Sequence, residues 1–459
     1  MQATLPVRLD RGHADPLARQ LSGQVRDLVA NGTLAVGDRL PSTRRLAAEL
    51  GVSRSVVEQA YDQLLAEGWL EGRHGAGTFV SSSGGARPEV RPAAGPPRTD
   101  ERVRLDTGTP WIDPAHAAGW RRAWRDVSAA RPPRGYDDSR GLPELRRALA
   151  DRLGRTRGLV CDPDEVVVVS GTTDGLRHLL GALRPGPVAV EDPGYRAAVE
   201  AVRAAGRAVV DLPATAPVAD LSGTVAAYVT PAHQHPLGRM MPAADRLALL
   251  AAAGRAGAVV VEDDYDSEFR YDVAPVPALA SLDRERVAYL GTASKSVAPS
   301  LRLGWLVPPP DLLEAINRRR SVTHEAVPWP VQRAFLSLLR DGYVDRVVRS
   351  ARRVYAARIG RVVDALAPHA ELAGPPAGMY TTWLLPHDRA VAAREAARGA
   401  GFEVTLLDEY TRSSALTGLV LGVGGCTDAQ LDRALAALVA ALAGAAQPSS
   451  PVGGSAPGS

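Results

Sequence analysis

Apolar residues recur along this chain in two rhythms, and the change between them divides it. In the first 80 residues Leu17, Leu21, Val25 and Leu28 fall at helical spacing and predict a helix over 16–31. Ser42 is positioned to cap a second helix over 43–50, which Gly51 stops. Ser53 caps a third, to about 67, whose Val56, Val57, Ala60, Tyr61, Leu64 and Leu65 face inward. Residues 69–80 read as two short strands around a glycine-rich tip. From 81 to 102 Ser, Gly and Pro dominate and too few apolar residues remain to pack, which predicts a flexible linker. The same reasoning predicts a disordered tail over 446–459.

Between linker and tail, over 103–445, the rhythm is that of short buried strands. Runs at 166–169, 188–190, 225–230, 258–261 and 287–290 are apolar and β-branched. Helical stretches such as 175–183, 195–205 and 243–253 separate most of them, so a mostly parallel sheet with helices on both faces is expected. After about 311 long helices follow (311–322, 331–340, 346–366), then a small C-terminal α+β unit with strands near 380–385 and 419–423. The fold class is therefore α/β with a small helical N-terminal domain.

Composition narrows this picture in three ways. Cys161 and Cys426 are the only cysteines, which argues for a reducing compartment, against a disulfide framework and against a cysteine metal site. No apolar run approaches the roughly 20 residues of a membrane span, and no signal peptide is recognisable, so a cytoplasmic protein is expected. The net charge of +3 permits nucleic-acid binding without demanding it.

The N-terminal pattern of two helices around a Gly-Val-Ser turn, then a hairpin, is the outline of a winged helix-turn-helix. The nine arginines of residues 1–80 are matched by nine acidic residues, so placement rather than total charge points to DNA. Through Leu40-Pro41-Ser42-Thr43-Arg44-Arg45-Leu46-Ala47, Leu50-Gly51-Val52-Ser53-Arg54 and Glu71-Gly72-Arg73-His74-Gly75-Ala76-Gly77-Thr78 the segment resembles the GntR-type DNA-binding domain. The resemblance implies DNA contacts at Arg44, Ser53, Arg54, Ser55, His74 and Gly75. Ser53 to Ser55 open the recognition helix, where free N–H groups meet phosphates, and Arg54 suits bidentate reading of a guanine. Val56 and Glu58 stand where some relatives place polar or basic contacts.

The large domain carries a different signal. Of 54 cationic residues 53 are arginine, and the single lysine, Lys295, follows a strand end in Gly291-Thr292-Ala293-Ser294-Lys295. Arginine stays charged and is a poor nucleophile, whereas a lysine amine can lose its proton and condense with a carbonyl. Pyridoxal 5′-phosphate is the commonest carbonyl held this way. Two further strand ends carry suitable groups: Ser170-Gly171-Thr172-Thr173 opens a helix fit for a phosphate, and Glu262-Asp263-Asp264-Tyr265 gathers acids.

In this order, with Thr230-Pro231-Ala232-His233-Gln234-His235-Pro236-Leu237-Gly238 and Arg302, residues 103–445 resemble a fold-type I aminotransferase domain. With the winged helix attached, the whole chain resembles the MocR/GabR-type transcription regulators, for which Glu262-Asp263-Asp264-Tyr265-Asp266-Ser267-Glu268-Phe269 is especially characteristic. The resemblance implies pyridoxal phosphate as cofactor, with Lys295 as the Schiff-base lysine, Asp263 against the pyridine nitrogen and Tyr265 on the phenolic oxygen. Gly171, Thr172, Thr292 and Arg302 would hold the phosphate, Tyr195 would stack on the ring, and Tyr136 would reach a partner subunit's phosphate, so a homodimer is implied. No metal is expected. His235 stands where enzymes of this fold usually keep an asparagine.

One departure stands out. Aminotransferases bind the substrate carboxylate with a late-strand arginine, and here Val420 stands at about that place; Arg412 lies upstream and is expected to be a solvated loop arginine rather than a substitute. A buried carboxylate without its cation is costly, so efficient turnover of ordinary amino acids is not expected. The reading is a regulator that binds operator DNA and senses pyridoxal phosphate, an amine or an amino acid. The alternatives are an active aminotransferase with an accessory DNA-binding module, and a dimerisation scaffold without cofactor chemistry.

Overall fold

The computed structural model describes residues 5–73, 77–81, 102–112, 114–271 and 276–444. The chain falls into two compact units, residues 1–99 and 100–459. The expected linker lies almost wholly outside the described residues, as do the expected tail and the wing tip with His74 and Gly75.

The first unit consists of α1 (Leu17–Ala30), α2 (Thr43–Leu50) and α3 (Arg54–Ala66), then a hairpin of β1 (Leu70–Arg73) and β2 (Gly77–Val80). Ser42 caps α2 by accepting from Arg45 N, and Gly51 closes it at φ 63°, a left-handed conformation that glycine adopts without penalty. Leu21, Val25, Leu46, Val57, Ala60 and Leu64 form the core. The Tyr61 hydroxyl donates to Pro41 O at 3.0 Å and ties α3 to the entry of α2.

The second unit opens with β3 (Val103–Arg104), α4 (Ala117–Ala129) and α5 (Pro143–Arg157). There follow β4 (Val167–Val169), α6 (Thr172–Ala182), β5 (Val188–Asp192), α7 (Arg196–Ala204), β6 (Val209–Pro213), β7 (Ala226–Val229) and α8 (Ala243–Ala256). The sheet is completed by β8 (Val259–Asp264), β9 (Val287–Thr292) and β10 (Gly304–Val307), in the order β4-β10-β9-β8-β7-β5-β6. Pairing is parallel from β6 through β9, and β10 runs antiparallel to both β9 and β4. The sheet is thus mixed but mostly parallel.

Strand alternation fills both faces. Val168, Ala189, Ala227, Val260 and Val287 join one apolar cluster, while Val167, Val190, Ala226, Val261 and Leu290 join the other. Glycine is obligatory where β10 enters between β9 and β4: a Cβ on Gly304 would lie 2.6 Å from Gly291 O in β9 and 2.9 Å from Gly171 Cα just after β4. The chain continues through α9 (Pro310–Thr323), α10 (Trp329–Arg340) and α11 (Tyr343–Leu366). It ends in β11 (Glu371–Leu372), β12 (Tyr380–Leu384), α12 (His387–Gly399), β13 (Phe402–Glu403), β14 (Thr405–Leu406), β15 (Gly418–Gly422) and α13 (Asp428–Gly444). The last strands form an antiparallel sheet β11-β12-β15-β14, and β13 pairs with β3. No described helix is long and apolar enough to cross a membrane.

Candidate functional site

In the first unit Ser53, Arg54 and Ser55 stand at the start of α3, and Arg44 lies in the first turn of α2. Arg44, Ser53, Arg54 and Ser55 are all exposed. The Ser53 and Ser55 hydroxyls lie 2.9 Å apart, and the Ser53 side chain caps no helix N–H, leaving those donors to a ligand. Arg54 is not free, however: its Nε lies 2.7 Å from Glu58 Oε1, one turn along the helix. Arg45 makes the same pair with Glu49 at 2.7 Å. Each pair is exposed and therefore worth only a few tenths of a kcal/mol, so a phosphate or base edge can displace it.

In the second unit, strand ends bring eight of the nine predicted cofactor residues around one cavity of about 180 Å³. Gly171, Thr172, Tyr195, Asp263, Tyr265, Thr292, Lys295 and Arg302 all line it, joined by Gly108, Thr230 and His235. The ninth, Tyr136, stands apart: it is 82% exposed and stacks on His324 at 4.1 Å.

Alternation along β8 assigns its three acids different tasks. Glu262 is fully buried and accepts Leu279 N and Ala280 N, both at 2.9 Å. Asp264 accepts the Tyr289 hydroxyl at 2.5 Å and meets Arg157 Nε at 2.6 Å. Asp263 between them points the opposite way, into the cavity. Its Oδ2 accepts the Tyr228 hydroxyl, whereas its buried Oδ1 has no hydrogen-bond partner. Burial, with the neighbouring Asp264 and Asp266 charges, pushes its pKa up to about 7, while the Tyr228 and Thr172 hydroxyls pull the other way.

Lys295 donates from Nζ to Gly108 O at 2.8 Å. Burial lowers its pKa, with Asp266, Asp106 and Asp263 pulling the other way, which favours the neutral, nucleophilic amine. Across the cavity, α6 begins at Gly171 with φ 103°, and a Cβ there would sit 3.6 Å from Arg302 Nη2. Arg302 itself holds a left-handed φ of 49°, an uncommon conformation for a side-chain-bearing residue that aims its guanidinium at the helix start. The start of α6, Thr172, Thr292 and this guanidinium all line the cavity, a donor set whose chemistry suits an anion.

His235 stands edge-on to Tyr195, Tyr265 and Tyr410 at 5.6, 5.6 and 5.2 Å. Burial, helped by the Lys295 charge, depresses its pKa to about 3, so the ring is neutral. The Tyr265 hydroxyl lies 2.9 Å from His233 O and 2.7 Å from the Tyr380 hydroxyl, and His233 Nδ1 lies 2.7 Å from Asp266. Tyr228, Tyr380, His233 and Asp266 were not anticipated. Tyr228 and Tyr380 sit within apolar strands and His233 and Asp266 in the turns after β7 and β8, so no periodicity marks them.

Arg412 does not compensate for the missing carboxylate-binding arginine. Its Nε lies 2.6 Å from Asp211 and its Nη2 donates to Val190 O and Glu191 O, so it fastens strand ends instead. Val420 is fully buried in β15. Among the described residues Arg302 is the sole arginine lining the cavity.

These features agree with the comparisons to known proteins. Residues 103–438 match the family of class I and II aminotransferases, and residues 17–80 match the gntR family of bacterial regulatory proteins. The chain is 34% identical to the HTH-type pyridoxine biosynthesis transcriptional regulator PdxR of Corynebacterium glutamicum, over 92% of this chain and 95% of that protein. It is 37% identical to the probable rhizopine catabolism regulatory protein MocR of Rhizobium meliloti, over 76% and 77% of the two chains. Among solved structures it resembles an archaeal alanine:glyoxylate aminotransferase with a TM-score of 0.67, 23% identity, and coverage of 75% and 91%. The chain belongs to the family of transcriptional regulators that join a gntR-type helix-turn-helix to an aminotransferase class I and II domain.

Proposed function

We propose that the regulator binds pyridoxal 5′-phosphate in the strand-end cavity and couples the state of that site to operator recognition by its winged helix. The observation that carries this reading is the orphaned Oδ1 of buried Asp263, in one cavity with the chain's only lysine and an arginine-backed helix start. When bound, the cofactor supplies an aldehyde that condenses with amines and a protonated pyridine ring that withdraws electrons.

The protein's part is to bind and orient. Lys295 secures the carbonyl carbon, and Asp263 meets the ring nitrogen, where a positive donor relieves its desolvation. Gly171, Thr172, Thr292 and Arg302 cradle the phosphate, and Tyr195 packs on the ring. Tyr265 and neutral His235 face the phenolic oxygen side, His235 without adding charge beside Lys295. Tyr136, exposed in one subunit, serves the phosphate of a partner in a homodimer. Arg44, Ser53, Arg54, Ser55, His74 and Gly75 contact DNA. Such a protein works in the cytoplasm, where both ligands are found.

The name of the Corynebacterium relative supports pyridoxal phosphate itself as signal. An amine or amino acid that displaces Lys295 from the carbonyl is the other effector class. The absence of a second arginine in the described lining weighs against efficient transamination. The test is a binding titration of the full chain on DNA upstream of its own gene and neighbouring genes, with and without pyridoxal phosphate. A cofactor-dependent change in affinity is expected, and identical curves would refute the coupling.

A further inference from the structure

A second cavity, of about 220 Å³, opens beside the first at the carboxyl ends of β5, β6 and β7. Its walls are largely apolar, with Leu212, Val218, Met241 and Pro242 among them. Two carboxylates and one guanidinium, that of exposed Arg239, interrupt these walls. Asp245 sits in the first turn of α8, and Glu191 lies near the end of β5 with only 4% of its surface exposed.

Like Asp263, Glu191 has no cationic partner among the described residues, but it faces a different cavity. All three of its hydrogen bonds fall on Oε2: from Thr230 N at 3.1 Å, Thr230 Oγ1 at 2.6 Å and Gln234 Nε2 at 3.3 Å. Oε1 is left to the cavity. Arg412 approaches only the backbone carbonyl of Glu191, and Arg239 at the rim spends its Nε on Ala373 O. Burial pushes the Glu191 carboxyl up to about 7, so its charge is poorly compensated. Water could satisfy the hydrogen-bonding capacity of Oε1 but could not supply charge. A metal ion would require several oxygen ligands, and the described residues contain no group of three or more metal-ligating side chains.

We infer that this cavity is a second ligand site, taking a small organic ammonium ion whose N–H meets Glu191 Oε1 and whose apolar tail lies against Leu212, Val218 and Met241. Recognition is non-covalent, since the only lysine lies in the other cavity. The wall between the two is thin. Thr230 lines both, its Oγ1 donating to Glu191 and accepting His235 N at 2.9 Å. Occupancy at Glu191 therefore bears on the hydrogen bond that orients His235. The site stands whether or not the first cavity binds pyridoxal phosphate.

The test is a calorimetric titration of the full chain with N,N-dimethylbutylammonium chloride, a tertiary ammonium that keeps one N–H donor but cannot condense with an aldehyde. Pentan-1-ol serves as the neutral control. One saturable site per chain is expected, with no comparable binding of the alcohol. Glu191→Gln should weaken binding at least tenfold. Ala216→Trp, which puts a bulky side chain on the exposed loop lining the cavity, should abolish it. Lys295→Ala should bind as the wild type does. The inference is overturned by absent saturable binding, by alcohol binding equally well, by binding that survives Ala216→Trp, or by loss in Lys295→Ala, which would place the probe in the first cavity. If Glu191→Gln does not fold, the Ala216→Trp result decides.

Discussion

Replacing Asp263 by Asn should stabilise the cofactor-free protein and weaken its hold on pyridoxal phosphate, two effects of opposite sign from one atom. The isosteric amide keeps an oxygen to accept the Tyr228 hydroxyl, so that contact need not be lost. Burial raises the Asp263 pKa from its ordinary value of 3.8 to about 7. A carboxyl whose folded pKa is raised binds more protons folded than unfolded, so its ionisation costs stability as pH climbs, in full above the folded value. At pH 8 that cost is at most about 4 kcal/mol, from 1.36 kcal/mol per pKa unit, and the neutral amide removes it. In the complex the balance reverses. A charge-assisted hydrogen bond to the ring nitrogen is worth about 1.5–3 kcal/mol, so the variant should bind roughly 10- to 150-fold more weakly. Denaturant unfolding of the cofactor-free proteins at pH 8 reads the first effect, and an absorbance titration with pyridoxal phosphate reads the second. A variant with unchanged cofactor affinity would refute the assignment of Asp263 to the ring nitrogen. Unchanged stability would refute the view that its charge is uncompensated.

Three further outcomes are expected. Arg54→Ala should cost about 1–3 kcal/mol on an operator if the side chain reads a base, while Glu58→Gln frees Arg54 and should tighten binding slightly on all sequences; equal losses on operator and random DNA for Arg54→Ala would reject base reading. Glu191→Gln should gain stability relative to the wild type as pH rises from about 5 to 8, by at most on the order of 3 kcal/mol, because the raised carboxyl must ionise across that window; a thermal-melt difference that is flat with pH would contradict it. Steady-state assays with amino donors and keto acids should show little turnover, and rates typical of aminotransferases would show that a carboxylate can be held without a late-strand arginine.

How much of this was legible in the sequence depended on whether local pattern or distant partners decided the structure. The buried runs of β5, β7, β8 and β9 announced themselves, since both faces of those strands are covered and the apolar stretch is continuous. β10 was missed although wholly buried, because four residues after Arg302 offered no rhythm. β6 lies at the sheet edge with alternating exposure and was also passed over. α5 was hidden by its own arginines: Arg146, Arg152 and Arg157 are buried and spoil the apolar period, their charges met by Asp164, Glu268 with Asp345, and Asp264. The strand-end motifs at 170–173, 262–265 and 295 were readable because ligands collect where strands end, while Tyr195 and Thr292 came from the family resemblance. The engagement of Arg412 with Asp211, about two hundred residues away in sequence, was not. The Arg54 and Glu58 pair was within reach, since four-residue spacing on a helix makes them neighbours.

Cofactor binding in the strand-end cavity turns on one amine. Lys295 is the only lysine, so no other ε-amine can take its place on the cofactor carbonyl. The most direct measurement is the absorbance spectrum of purified wild type and Lys295→Ala after incubation with pyridoxal phosphate and removal of the excess by gel filtration. A visible band is expected in the wild type, fixed to Lys295 by borohydride reduction, and no band in a variant with unchanged circular dichroism. A band that persists in folded Lys295→Ala, or a wild type that retains no cofactor, would contradict that expectation.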